Sequence, residues 1–165
     1  MKSLKLYTII ILLACLNACK PEEFGPIGEP RVVLKNLAGT WTISKVTQID
    51  NFADKKGFPY TSMDITNVYP YKEFKLTFNL NDKGEPSTFT SVSGNAPQII
   101  SLSSGTWTTD NTEAPKVLTF KSGTAESKIE MGSYNSFNNN KLVLRVIRIL
   151  NGIPVVTYEY EFSKN

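Results

Sequence analysis

The sequence predicts an all-β domain, an eight-stranded antiparallel barrel with a β-sandwich as the alternative. Three observations carry this. From residue 37 onward, apolar and polar side chains alternate with a period of two in segment after segment. Short runs rich in Gly, Asn, Asp and Ser separate most of these segments at hairpin spacing. No stretch of the same region shows the 3.6-residue apolar period of a surface helix. Up-and-down order favours closure, because a closed barrel leaves no strand edge unpaired. A sandwich of similar strand count satisfies the same pattern.

The first strand, about residues 40–49, places Trp41, Ile43 and, if alternation holds, Lys45 on one face. A long connection follows, in which a short helical turn fits residues 61–68. The clearest strand alternates Phe74, Leu76, Phe78 and Leu80 with Lys75, Thr77 and Asn79. Asn81-Asp82-Lys83-Gly84 turns the chain into Ser87–Val92. A strand over Ser101–Thr109 reaches Trp107 through Gly105, and Asp110–Pro115 is a loop. Val117–Lys121 and Glu126–Met131 form a hairpin through Ser122-Gly123. Lys141–Leu150 is long and β-branched, and Asn151-Gly152 is a two-residue hairpin turn. The last strand alternates Val156, Tyr158, Tyr160 and Phe162 with Thr157, Glu159 and Glu161. Phe74, Phe78, Trp107, Tyr158 and Tyr160 point inward on this reading. An eight-stranded barrel either is filled by such residues or holds one ligand, and their bulk favours filling.

Ahead of the domain, Lys2 and Lys5 precede an apolar run from Leu6 to Leu16, which ends in Asn17-Ala18-Cys19. A basic start, a short apolar stretch and small residues before a cut site are the physical pattern of a secretory leader. Leu16-Asn17-Ala18-Cys19 resembles the lipobox of bacterial lipoproteins. That resemblance implies removal of residues 1–18 and lipidation of Cys19. The Lys20-Pro21-Glu22-Glu23 that follows resembles the export signal of Bacteroidetes surface lipoproteins, which implies the outer membrane, facing outward. More than one acyl chain would make attachment lasting, since a single chain binds only marginally. Residues 20–36 hold Pro21, Pro26, Pro30, Gly25 and Gly28 and read as a tether. At roughly 15 residues it would span about 20 Å. The expected organisation is leader 1–18, lipidated cysteine and tether 19–36, and barrel 37–165.

Composition narrows the chemistry. The whole chain carries a formal charge of +3, and loss of Lys2 and Lys5 with the leader reduces it to +1. No basic stripe appears, so nucleic acid is not an expected partner. The two cysteines are Cys15, inside the leader, and Cys19. With no histidine in the chain, Ser–His and Cys–His catalysis and imidazole metal ligation are excluded. No cofactor and no metal are expected.

Leu37-Ala38-Gly39-Thr40-Trp41-Thr42-Ile43 resembles the Gly-x-Trp opening of the lipocalins, where the first strand closes the barrel floor. Gly105-Thr106-Trp107 with Lys116-Val117-Leu118-Thr119-Phe120 resembles mid-barrel strands of the lipocalin-like lipoprotein domains of Bacteroidetes, a family of unknown function. The resemblance covers about residues 37–163 and implies a lipocalin-like barrel with Trp41 and Trp107 in structural roles. Lipocalins also place an arginine from a late strand over the floor tryptophan. The last strand here has none, which leaves Arg145 or Arg148. Arg148 shares a strand face with Leu142, Leu144 and Val146, so it needs a partner or an aromatic ring.

The candidate ligand-binding residues are aromatic and sit in the segments that strand alternation explains least. Tyr60, Tyr69 and Tyr71 lie in the long connection, beside Phe58, Pro59 and Pro70. Tyr134, Phe137 and Asn138 lie in the SYNSFNNN stretch. Aromatic faces stack on sugar rings, and amides donate to and accept from hydroxyls together. The competing structural role is that these rings cap the barrel and the asparagines make turns. Glu159/Glu161 and Glu126/Glu130 could serve as acid–base pairs, but on a polar face they are solvated and poorly tuned for that work. Asn79-x-Asn81-x-Lys83-Gly84 has a lysine where a calcium loop needs oxygen, so it reads as a turn. The sequence therefore points to a non-catalytic surface module that captures a glycan or a small hydrophobic ligand. The alternative is a structural subunit docked on a larger outer-membrane complex.

Overall fold

The computed structural model describes residues 33–133 and 140–165. They form nine strands and three short helical pieces: α1 (Val33–Leu37), β1 (Gly39–Asp50), α2 (Asn51–Lys56), β2 (Ser62–Asp64), a 3-10 turn (Tyr71–Glu73), β3 (Lys75–Leu80), β4 (Pro86–Val92), β5 (Ser104–Thr109), β6 (Val117–Ser122), β7 (Ala125–Met131), β8 (Lys141–Leu150) and β9 (Ile153–Lys164). Strands β3 to β9 pair in sequence order, and β1 pairs with both β3 and β9. Eight antiparallel strands thus close into a barrel, and β2 is an extra strand alongside β1.

Closure makes β1 long and changes its phase. Gly39–Thr42 pairs with β3, and Trp41–Asp50 pairs with β9. A register shift between Ile43 and Lys45 on the β9 side adds one residue. The inward face therefore passes from Trp41 and Ile43 to Val46, and Lys45 is exposed. Strict alternation placed Lys45 inside, and the bulge reverses it. β3 leaves β1 after Lys75, and β2 takes the vacated edge at Thr47–Ile49. This strand occupies residues expected to hold a helical turn. Thr66 continues the seal: its hydroxyl accepts from Val46 N at 2.9 Å and donates to Asp64 Oδ1 at 2.6 Å.

The floor is where β1 begins and β9 ends. α1 lies there, with Val33 and Leu37 buried. Residues 33–36, read from sequence as the end of a tether, are thus already part of the domain. Gly39 has φ +116°, and a Cβ on it would come within 2.9 Å of Lys164 Cε. The positive φ is what calls for glycine here, since the near atoms belong to the flexible end of a lysine that can shift. Above the floor, Trp41, Trp107, Phe74, Phe78, Phe89, Phe120 and Phe162 are each under 2 % exposed. Phe78 meets Trp107 edge-on at 4.8 Å and Phe89 meets Phe120 at 4.7 Å, the geometry aromatic quadrupoles favour. Trp107 Nε1 donates to Asn79 O at 2.9 Å, so its buried N–H is satisfied. This half of the barrel is filled by side chains, as the inward bulk predicted.

Several turns follow their local signals. Asn151 and Gly152 both have positive φ, +50° and +77°, as a type I′ hairpin turn demands. Asn81 Oδ1 accepts from Lys83 N and Glu85 N in the β3–β4 loop, which makes it a turn residue. β5 starts at Ser104 rather than Ser101, and Ile100 in the preceding loop is buried.

Candidate functional site

The end of the barrel opposite the floor, the mouth, is built by the β1–β3 connection and by the inward column of β8 and β9. That column is read from the register: Leu142 opposite Phe162, Leu144 opposite Tyr160, Val146 opposite Tyr158, Arg148 opposite Val156. Burial decreases along it. Phe162, Leu142 and Leu144 are fully buried, Tyr160 is 7 % exposed, Tyr158 and Val146 are half-buried, and Arg148 is exposed. The interior thus opens gradually toward the mouth on this side.

The 3-10 turn inserts Tyr71 into that opening. Tyr71 is 4 % exposed. Its ring meets Tyr160 edge-on at 6.1 Å and Tyr69 at 5.8 Å, while Tyr158 stacks on Tyr160 at 6.5 Å. Four tyrosines therefore run in contact from the exposed rim, where Tyr69 is 55 % exposed, into the barrel. Burial pushes the Tyr160 phenol well above its ordinary range; nearby Tyr71 and Tyr158 add to the rise, and Arg148 offsets part of it. Tyr71 is raised too, chiefly by burial and then by Tyr158 and Tyr69. The hydroxyls of Tyr71, Tyr158 and Tyr160 make no hydrogen bond among the described residues.

The three candidate ligand-binding residues that are described do not form one surface. Tyr69 and Tyr71 share a surface groove of about 370 Å³ with Thr66, Asn67, Val68, Pro70 and Lys72. Tyr60, 91 % exposed, borders a separate groove with Gln48, Asp50 and Met63. Tyr71 is a buried cap more than an exposed platform, because its ring closes over Tyr160. Tyr134, Phe137 and Asn138 lie outside the described residues, as does Cys19. The flanks of that second segment, Met131 and Lys141, belong to the floor end: Lys141 pairs with Ser163, and Asn140 O accepts from Lys164 N.

Neither Arg145 nor Arg148, the arginines considered for the place over the floor tryptophan, is the cation found there. Trp41 is 1 % exposed, but the cation over its ring is Lys164, with Nζ 5.3 Å from the centroid. Lys164 Nζ donates to Asn36 O at 2.9 Å, and Trp41 Nε1 donates to Leu37 O at 2.7 Å. The cation does come from the last strand, but as the lysine two residues after Phe162. Arg148 is at the other end, among tyrosines.

Three of the four paired carboxylates meet cations. Glu159 receives Arg145 Nη2 at 2.7 Å and Nε at 2.8 Å, and Glu161 receives Lys141 Nζ at 2.8 Å. Glu126 lies between Lys121 and Lys128, and hydrogen bonds from Lys128 and then Lys121 hold its carboxyl below the usual range. No group of three or more Cys, Asp or Glu among the described residues could hold a metal ion, and no helix among them is long and apolar enough to cross a membrane.

No curated protein matches this chain. A family model described as a domain of unknown function (DUF5004) matches residues 17–163, nearly the whole described barrel and the residues leading into it, and the chain belongs to that family.

Proposed function

We propose that this chain is a lipid-anchored, outward-facing module of the outer membrane that captures a glycan or similar small ligand and performs no chemistry on it. The observation that carries the ligand reading is the tyrosine-lined mouth. Exposed Tyr69, the adjoining groove with Asn67 and Lys72, and the inward tyrosines behind it combine stacking faces with hydroxyl and amide groups. Ligand clefts typically join apolar walls to a few convergent polar groups. The anchor rests on Leu16-Asn17-Ala18-Cys19 and on the resemblance to lipoprotein signals. Val33, the first described residue, lies at the floor.

Two measurements test the two halves of this reading. Intact mass of the membrane-extracted protein should show a species that begins at Cys19 and carries acyl mass; a Cys19 start without that mass removes the anchor. A glycan array should show binding that Tyr69→Ala abolishes while the melting temperature stays within a few degrees. A folded Tyr69→Ala variant that binds like wild type removes the mouth as the ligand site.

One observation favours the second reading, a subunit docked on a larger complex. Ile149, Leu150 and Ile153 at the tip of the β8–β9 hairpin are each more than 60 % exposed. Clustered exposed aliphatics of this kind mark contact surfaces. Pull-down from solubilised membranes that depends on Ile149 and Ile153, with an empty glycan array, would put this reading ahead.

A further inference from the structure

The β8–β9 hairpin separates its charges by face. Its acids, Glu159 and Glu161, point outward and are paired with the outward cations Arg145 and Lys141. Arg148 belongs to the inward column, and the residue directly opposite it is Val156. It has no ion pair among the described residues. Tyr158 is its diagonal neighbour on the same face, a spacing of about 7–8 Å that a long side chain spans easily. Beyond Tyr158 stands Tyr160, and across the opening from β9 stands Tyr71, with ring centroids 6.5 and 6.1 Å apart in turn.

Three tyrosine rings in contact thus stand at this end of the barrel, with Arg148 on the same inward column and near enough to influence the Tyr160 phenol. Tyrosine hydroxyls both donate and accept, and an arginine offers a planar fork of donors matched to a carboxylate. A solvated surface arginine needs no such setting: the two cations that pair with acids on these strands, Lys141 and Arg145, face outward. Burial favours the neutral phenols of Tyr71 and Tyr160, and Arg148 has no ion pair among the described residues, so its positive charge is uncompensated. An anion is what this set would recognise. The rings beside it supply flat apolar faces for the body of the ligand.

We propose that Arg148, with the hydroxyls of Tyr71, Tyr158 and Tyr160, forms an anion-recognition site at the barrel mouth, and that its ligand is an acidic saccharide whose carboxylate meets Arg148. The choice of a saccharide rests on the glycan-capture reading above; the choice of an acidic one rests on Arg148 and the tyrosine hydroxyls. The same residues separate an acid sugar from its neutral parent. A carboxylate gains charge-assisted hydrogen bonds, whereas a hydroxymethyl group in the same position leaves the guanidinium unpaired.

The test is isothermal titration of the full chain with methyl glucuronide and with methyl glucoside, which differ only by carboxylate against hydroxymethyl. Wild type should prefer the acid by about tenfold or more, the scale of a charge-assisted bond. Arg148→Gln should bring the two ligands to equal affinity with an unchanged melting temperature, because the exposed side chain supports no contact the fold needs. Arg148→Lys, which keeps the charge but loses the fork, should retain part of the preference. Tyr158→Phe should weaken the acid several-fold, and Tyr158 is half-buried, so the variant remains folded. Equal affinities in wild type, or a preference that survives in Arg148→Gln, would overturn the assignment. If neutral glycans bind through Tyr69 but the glucuronide gains nothing, the acidic ligand is excluded and saccharide capture stands. If neither sugar binds and the array is empty, both readings fail.

Discussion

The floor and the mouth of this barrel are made of the same material, aromatic rings on inward faces of the closing strands, yet they treat polar atoms in opposite ways. At the floor each polar group beside Trp41 has a partner: the indole N–H meets Leu37 O, and Lys164 meets both Asn36 O and the ring face. At the mouth the hydroxyls of Tyr71, Tyr158 and Tyr160 find none among the described residues, and Arg148 faces Val156. A satisfied end contributes to stability. An end with unspent donors and acceptors contributes less to the fold and keeps its hydrogen-bonding capacity for something else. The difference teaches that tyrosine content alone does not identify a site; what matters is where the hydroxyls go.

That contrast can be broken from the floor first. Trp41→Ala should cost about 3–5 kcal/mol, the range for deleting a large buried aromatic, and read out as a large fall in the denaturant midpoint. A loss under about 1 kcal/mol would mean that the floor is not a principal source of stability. Lys164→Ala should cost about 1 kcal/mol, because an exposed cation over a ring contributes modestly and its stem also packs. Lys164→Arg should restore most of this. No effect from Lys164→Ala would leave Trp41 held by packing alone.

The mouth should respond least at neutral pH. Tyr160→Phe removes a hydroxyl without a protein partner among the described residues and should change stability by less than about 0.5 kcal/mol. Its signature should appear in alkali. Burial raises the Tyr160 phenol above 10.0, so from about pH 10 the unfolded chain releases a proton that the folded chain retains. Stability from this group therefore falls as pH rises past 10, and is fully present below it. Denaturant midpoints measured from pH 8 to 11 should fall less steeply in Tyr160→Phe than in wild type. Identical slopes would show that Tyr160 is not the source.

Much of the frame was legible because it is local. Phe74, Phe78 and Phe162 alternate with polar neighbours, and each is found in the core. Asn151-Gly152 makes its turn because both residues tolerate positive φ. The site was less legible. Tyr60, Tyr69 and Tyr71 are close in sequence, yet β2 intervenes and gives Tyr60 a groove of its own. Tyr71 reads as a loop aromatic because nothing near it in sequence announces Tyr160, its covering partner eighty-nine residues away.

The sequence alone determined the eight barrel strands, most of their turns, the absence of histidine chemistry and the burial of Trp41, since each depends on residue type and on neighbours a few positions away. Only the tertiary structure decided that a bulge turns Lys45 outward, that Lys164 rather than Arg148 covers Trp41, and that Arg148 joins Tyr158 and Tyr160 at the mouth. The physical reason is register. A one-residue shift in pairing moves a side chain to the opposite face of a strand, and the partners that fix that shift come from the far end of the chain.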